Sequence, residues 1–368
     1  MRFYFFVSLI ILFNYIQSIS IYNIGVQVPL TGKFASEGIA IYNSIRLLVD
    51  QNNQSGGING IKFKVVSCDD EGDPQKALFC AKYLIGEGVK AVIGSYSSSA
   101  TRASQSSYMK QSILQTSCAT ETDLVNSKNY TFFRNAFNSE VEGKYTARYL
   151  VSIKKYKRIV ILGDYSSFSQ DLSNSVNTNI LQLKGNVIFQ GKINSGDNDF
   201  KAILTKIKSL NPDAIYFSGY YIEGGLIRSQ EVQLGIKVDF IGGNSNDNPQ
   251  FIKIAGSSAI GSYLIGLPTQ AQLNSKKAIS FIKDYKSKYN SDIPSVWTFT
   301  NSDGLLTLFE AIAKTKSIDN QVLIKYIHTK IKDLQVLTGT ITLDSNGERL
   351  GSLYQVVKID NNFKYKKV

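Results

Sequence analysis

The stretch AVIGSYSSSATRA, Ala91 to Ala103, decides how this chain is read. Ala91 to Gly94 is a short apolar run with strand character, and Gly94 permits a sharp exit from it. Ser95, Ser97, Ser98, Ser99 and Thr101 follow at once, where a helix begins. Serines at a helix start have an ordinary reading as N-caps. At the carboxyl edge of an open parallel sheet they have a second one. Exposed N–H groups and the positive end of the helix dipole face a crevice there and receive anions. The same pattern recurs downstream: Ile113 to Thr116 reads as a strand and runs into Ser117-Cys118-Ala119-Thr120-Glu121-Thr122. Two adjacent strand ends rich in hydroxyls can grip two sides of one carboxylate, with Ser98, Ser99 and Thr120 as the candidate donors.

Outward from this stretch, short apolar runs alternate with amphipathic ones. Tyr22 to Val28 reads as a strand, and Ile41, Ile45, Leu48 and Val49 share a helical stripe. Ile61 to Val66 is a strand, and Asp73-Pro74 opens a helix with proline in its favoured first turn. After a looser stretch, Ala119 to Asn138, the alternation restarts. Arg158 to Leu162, Val187 to Ile193, Ala214 to Phe217 and Val238 to Ile241 read as strands between helices. From Pro268 the pattern turns helical, through Lys276 to Tyr289 and Val296 to Ala313. Strand character returns at Gly339 to Leu343 and Tyr354 to Ile359. Repeated β-α units of this kind predict an α/β fold of two Rossmann-like lobes with parallel sheets.

The 368 residues suffice for two lobes, each with its own core. The first twenty, MRFYFFVSLIILFNYIQSIS, read as a signal peptide cut after Ser20. One basic residue precedes an apolar run about half as long as a membrane span requires. No later stretch is long and apolar enough to span a bilayer, so the mature chain is expected to be soluble and secreted, or periplasmic in a bacterium. Net charge is +12, but the lysines are scattered, which argues for solvated faces rather than a nucleic-acid surface. Asn53 and Asn129 stand in glycosylation sequons. The three cysteines, Cys68, Cys80 and Cys118, allow one disulfide and one free thiol, and the pairing is left open because Cys80 falls well inside a helix.

Several chemistries lack their parts. The single histidine, His328, falls in a predicted helix, which argues against a Ser-His-Asp arrangement, and it cannot supply a zinc site built on several histidines. The phosphate-binding glycine motifs and the nucleophile elbow are absent, so neither catalysis nor a cofactor nor a metal is expected. Two other readings remain nameable: a signalling or decoy module acting through a protein interface, and a hydrolase with a Ser98–Lys110 pair.

The segments VPLTGKFASEGIAI, GGINGIKFKVVSCDDEGDP, VKAVIGSYSSSAT, KRIVILGDYSSFSQDL and PDAIYFSGYYIEGGLIRSQEVQLGIKVDFIGGN, in this order, resemble the leucine/isoleucine/valine-binding protein family. The likeness runs from about Val26 to Gly347. It implies the type I periplasmic-binding-protein fold, a first lobe of residues 21–138 with 268–346, a second of 139–267 with 347–368, and three crossovers between them. It also implies hinge closure on an amino acid or related carboxylate or amide, with a membrane permease or a receptor as a possible partner. By the same resemblance Ser98 and Thr120 hold the ligand carboxylate with backbone N–H groups beside them, as at Ala119, while Phe168 and Tyr220 face it from the second lobe. Asn244 stands where amino-acid binders carry a glutamate for the ligand ammonium. Glu37, Glu223, Asp247 and Asp164 are the carboxylates that could replace it. The family disulfide is expected to be missing, because Gly72 and Ser97 occupy its positions.

Overall fold

The structure, a computed structural model, describes residues 20–368. The expected signal peptide therefore lies outside the described residues, apart from Ser20, which opens the first strand. The first part of the chain forms β1 (Ser20–Val28), α1 (Ala35–Gln54), β2 (Ile61–Asp69), α2 (Pro74–Gly86), β3 (Ala91–Gly94), α3 (Ser98–Lys110), β4 (Leu114–Ser117) and β5 (Phe132–Arg134). Its five strands make one parallel sheet in the order β2-β1-β3-β4-β5. β3 and β4 are buried at every position, as strands covered by helices on both faces must be. Local chemistry sets the helix starts. The Asp73 carboxylate accepts from the N–H groups of Gln75 and Lys76 with Pro74 in the first turn, and the Ser97 hydroxyl accepts from Ala100 N–H.

The second part contains α4 (Ser139–Arg148), β6 (Ile159–Asp164), α5 (Ser167–Gln182), β7 (Val187–Ile193), α6 (Lys201–Ser209), β8 (Ala214–Phe217), α7 (Tyr221–Gln233), β9 (Asp239–Gly242), α8 (Pro249–Ala255) and β10 (Tyr263–Gly266). Three helices follow, α9 (Lys276–Tyr289), α10 (Val296–Thr315) and α11 (Asn320–Lys330), and then β11 (Leu334–Val336), β12 (Gly339–Ile341), β13 (Gln355–Ile359) and β14 (Tyr365–Lys367). The second sheet runs β14-β13-β10-β9-β8-β6-β7, parallel from β10 to β7, with β13 and β14 added antiparallel. α9 and α10 pack back onto α1 of the first lobe, so the chain passes between lobes after β5, after β10 and before β13. The fold is the two-lobed α/β architecture the alternation predicts.

Four short strands escape the sequence pattern: β5, β11 and β14 are three residues long and β10 four, and pairing with β4, β12, β13 and β9 respectively defines them. The Gly339 strand pairs only with β11, in a separate hairpin.

Cys68, near the end of β2, is bonded to Cys80 on the inward face of α2 with Cα atoms 5.5 Å apart, and Cys118 is free and buried. The helix position that left this pairing open brings the thiol over the strand end. Both sequon asparagines make contacts within the folded chain. Asn53 Nδ2, the atom a glycan would occupy, donates to Phe63 O at 2.8 Å, and Asn129 is buried with its side-chain oxygen accepting from Thr131 Oγ1 at 3.1 Å. Replacing both Cys68 and Cys80 by alanine is expected to cost about 2–3 kcal/mol, read as a lower denaturation midpoint relative to the oxidised protein.

Candidate functional site

β3 and β4 pair with Ile93 opposite Thr116, so their carboxyl ends are level. Gly94 makes the turn that follows. Its φ is +123°, and a Cβ there would lie 1.8 Å from Gln27 O, so the chain bends where a side chain has no room. Thr101 Oγ1 then ties the turn by accepting from Ser95 N–H at 3.1 Å. As a result Ser98, in the first turn of α3, and Ala119 and Thr120, just past β4, meet on one wall of an enclosed cavity. Phe168 from the first turn of α5, Tyr220 just before α7, and Asn244 just after β9 line it too, again from carboxyl ends of strands. Tyr96, Cys118, Ser245 and Trp297 complete it.

The lobes are closed on each other. The Phe34 and Tyr220 rings are 4.6 Å apart, and the Ser99 and Ser167 hydroxyls bond at 3.0 Å. Thr122 donates to Asp171 Oδ2 through its N–H and its hydroxyl, at 2.8 and 3.0 Å. Closure draws the aromatic walls together so far that about 10 Å³ of free space remains between them, roughly one water's worth.

Residues 22–364 match the periplasmic binding protein family. The chain belongs to that family. The Leu/Ile/Val-binding protein of Citrobacter freundii is 27% identical over 323 residues, covering 88% of this chain and 86% of its own length. The branched-chain amino acid transporter substrate binding protein LivJ of Streptococcus pneumoniae, solved with isoleucine, is 27% identical with a TM-score of 0.85 and covers 95% of this chain and 99% of its own. A solute binding protein of R. palustris in complex with benzoate shares the fold at 18% identity, with a TM-score of 0.84 and coverage of 95% and 96%. A periplasmic binding protein holds a solute and transforms nothing, so this chain is not an enzyme, and the family agrees with the exported location expected from its sequence.

The lining carries no charged residue: among the described residues it contains no Asp, Glu, Lys, Arg or His. Cys118 adds none, because burial pushes its thiol up to about 12. Asn244 is held in place by three partners. Its N–H donates to Glu142 Oε1 at 2.8 Å, its Nδ2 to Tyr354 OH at 3.3 Å, and its Oδ1 accepts from Ser245 Oγ at 3.1 Å. Glu142 is fully buried, and burial raises its pKa to about 8, so near neutrality it is mostly uncharged.

None of the four proposed replacement carboxylates lines the cavity. Glu37 is buried in α1 with both oxygens occupied, one by Asn248 Nδ2 of the second lobe and the other by Ser295 Oγ at 2.6 Å. Glu223 accepts from Ser195 Oγ and Gly196 N–H, and Asp164 from Ser166 N–H. Asp247 lines a different cavity. Ser99 is likewise turned away, toward Ser167. Lys110 closes α3 at the end opposite Ser98, about 18 Å along the axis, so the Ser-Lys hydrolase pair does not exist.

Sequence reasoning missed the residue that braces this wall. The Arg134 guanidinium is fully buried. Its Nε and Nη2 meet the two Glu348 oxygens at 2.9 and 2.6 Å, and Nη1 donates to Ala119 O and Glu121 O at 3.0 and 2.7 Å. The loop carrying Thr120 is therefore clamped by a bidentate ion pair. Its partner lies 214 positions away, beyond any local signal. Tyr96 and Trp297 were also missed, although Trp297 is the chain's sole tryptophan.

Two outcomes follow from this geometry. Arg134→Met leaves Glu348 unpaired and the loop carbonyls unsatisfied, and should cost about 3–5 kcal/mol in chemical denaturation. Glu37 has its pKa raised to about 7 by burial, against the lowering effect of Ser295 and Asn248. A carboxyl that is easier to protonate when folded stabilises fully below its unfolded pKa, and that stability is lost as pH rises through the folded one. Between pH 4.5 and 7 Glu37 therefore removes stability on the order of 3 kcal/mol. Glu37→Gln should flatten the pH profile of the denaturation midpoint in that window.

Proposed function

We propose that this chain captures a small carboxylate with an apolar body, such as a branched-chain amino acid or an aromatic acid. Residues 21–138 with 268–346 form one jaw and residues 139–267 with 347–368 the other, and the hinge closes them on the guest. The observation that carries this reading is the convergence of Ser98, Ala119 and Thr120 at level strand ends, facing aromatic walls with no acidic or basic side chain. Hydroxyls and N–H groups at a helix start suit a carboxylate, and Tyr96, Phe168, Tyr220 and Trp297 suit an apolar body.

The neutral lining carries a finer inference. A ligand ammonium would find amide and phenol oxygens but no charge, losing a charge-assisted contact. Its contribution to affinity is therefore small, which favours carboxylates with or without an amino group. The solutes named for the relatives, isoleucine in one and benzoate in another, are both of the proposed kind. Because the isoleucine-bound neighbour is a transporter component, a membrane permease is the partner that would receive the solute.

Calorimetry with leucine, its deaminated analogue 4-methylpentanoate, benzoate and acetamide tests the reading. Leucine and 4-methylpentanoate should bind within about tenfold of each other. Ser98→Ala combined with Thr120→Ala should weaken the tightest carboxylate about 100-fold, as two hydrogen bonds to a charged group are lost. Undiminished affinity in the double variant would remove this site, and a preference for acetamide would remove the carboxylate.

A further inference from the structure

A cavity roomier than the cleft lies elsewhere among the described residues. About 460 Å³ of free volume lies beside the hinge, between the turn after β9, the segment leading into α10 and the β13–β14 turn. It is separate from the cleft. Asn244, Ser245 and Trp297 face the cleft, while their neighbours Asp247, Ser295 and Val296 face this second space.

Three polar groups in its walls lack partners among the described residues. Asp247 has no side-chain hydrogen bond, and burial alone lifts its pKa to about 7. Gly266 makes room for this carboxylate, since a Cβ at that position would lie 2.1 Å from Asp247 Oδ2. Tyr365 OH and Gln270 Oε1 are buried and unbonded, and Tyr365 is close enough to Asp247 to feel its charge. The carboxylate and the amide oxygen only accept and the phenol oxygen accepts as well as donates, so a cationic donor can satisfy all three at once. Pro249, Ile293, Pro294, Val296 and Phe363 supply the apolar remainder of the wall. Asp292 and Lys364 are its other charged members, and Asp292 is already paired with Lys286 at 2.8 Å.

The geometry points to a second ligand site, in which Asp247, Gln270 and Tyr365 receive the ammonium group of a small organic amine whose apolar or aromatic body lies against Ile293, Val296 and Phe363. The probe is phenethylamine, with 2-phenylethanol as the uncharged analogue of the same shape. Calorimetry on the full chain should show phenethylamine binding below about 1 mM and the alcohol at least tenfold weaker. NMR should place the amine at the Ile293 and Val296 methyl groups. Asp247→Asn should weaken the amine at least tenfold. Should that variant fail to fold, Tyr365→Phe should weaken it severalfold, and the amine–alcohol comparison on the unaltered protein needs no substitution. Absence of amine binding at about 10 mM, equal binding of the alcohol, unchanged affinity in Asp247→Asn, or amine shifts confined to the cleft would each overturn the site. The carboxylate titrations of the cleft are read independently, so failure of one site leaves the other standing.

Discussion

The parallel register of β3 with β4 is the constraint on which the site depends. Ile93 opposite Thr116 brings two strand ends to the same level, and Ser98, Ala119 and Thr120 on the cavity wall hang from those ends. A one-residue slip would turn each strand's side chains to the other face and separate Ser98 from Thr120. Two devices protect the register where it matters. Gly94 and Thr101 fix the turn after β3, and the buried Arg134–Glu348 pair clamps the loop after β4. The second device reaches from β5 to the segment before β13, so a late part of the chain secures the geometry of an early one.

Beside the buried Arg134–Glu348 pair, the hinge region holds acids that burial makes easier to protonate. Glu37, Glu142 and Asp247 are all held above their ordinary range by burial, and each lies where the two lobes or the crossover segments meet. Buried charges that separate on opening would cost desolvation at every cycle. Hydrogen bonds between neutral groups, such as Ser99 with Ser167, make and break with little net change, because water replaces them.

Much of the fold was legible because the chain repeats one unit. Ala214 to Phe217 and Lys276 to Tyr289 coincide with the observed β8 and α9, since their periods are long or their boundaries sharp. The strand-end logic also located Ser98 and Thr120, because hydroxyls after apolar runs are a local signal. What stayed hidden is non-local. The Cys68–Cys80 bond depends on how α2 rolls over β2, and the buried fate of Glu37 depends on Asn248, 211 positions away. Asn53 and Asn129 show the same limit from the other side: a three-residue motif says nothing of the bond from Asn53 Nδ2 to Phe63 O or of the burial of Asn129.

The placement of the sole indole ring has a practical corollary. Trp297 opens α10, a helix of the first lobe, and its side chain borders a space walled on the far side by Phe168 and Tyr220 of the second. Parting the lobes exchanges those aromatic neighbours for solvent, and a filled cleft restores a dry surrounding. The protein thus carries a built-in optical gauge of its own opening, whose emission colour would follow the jaws without any attached dye.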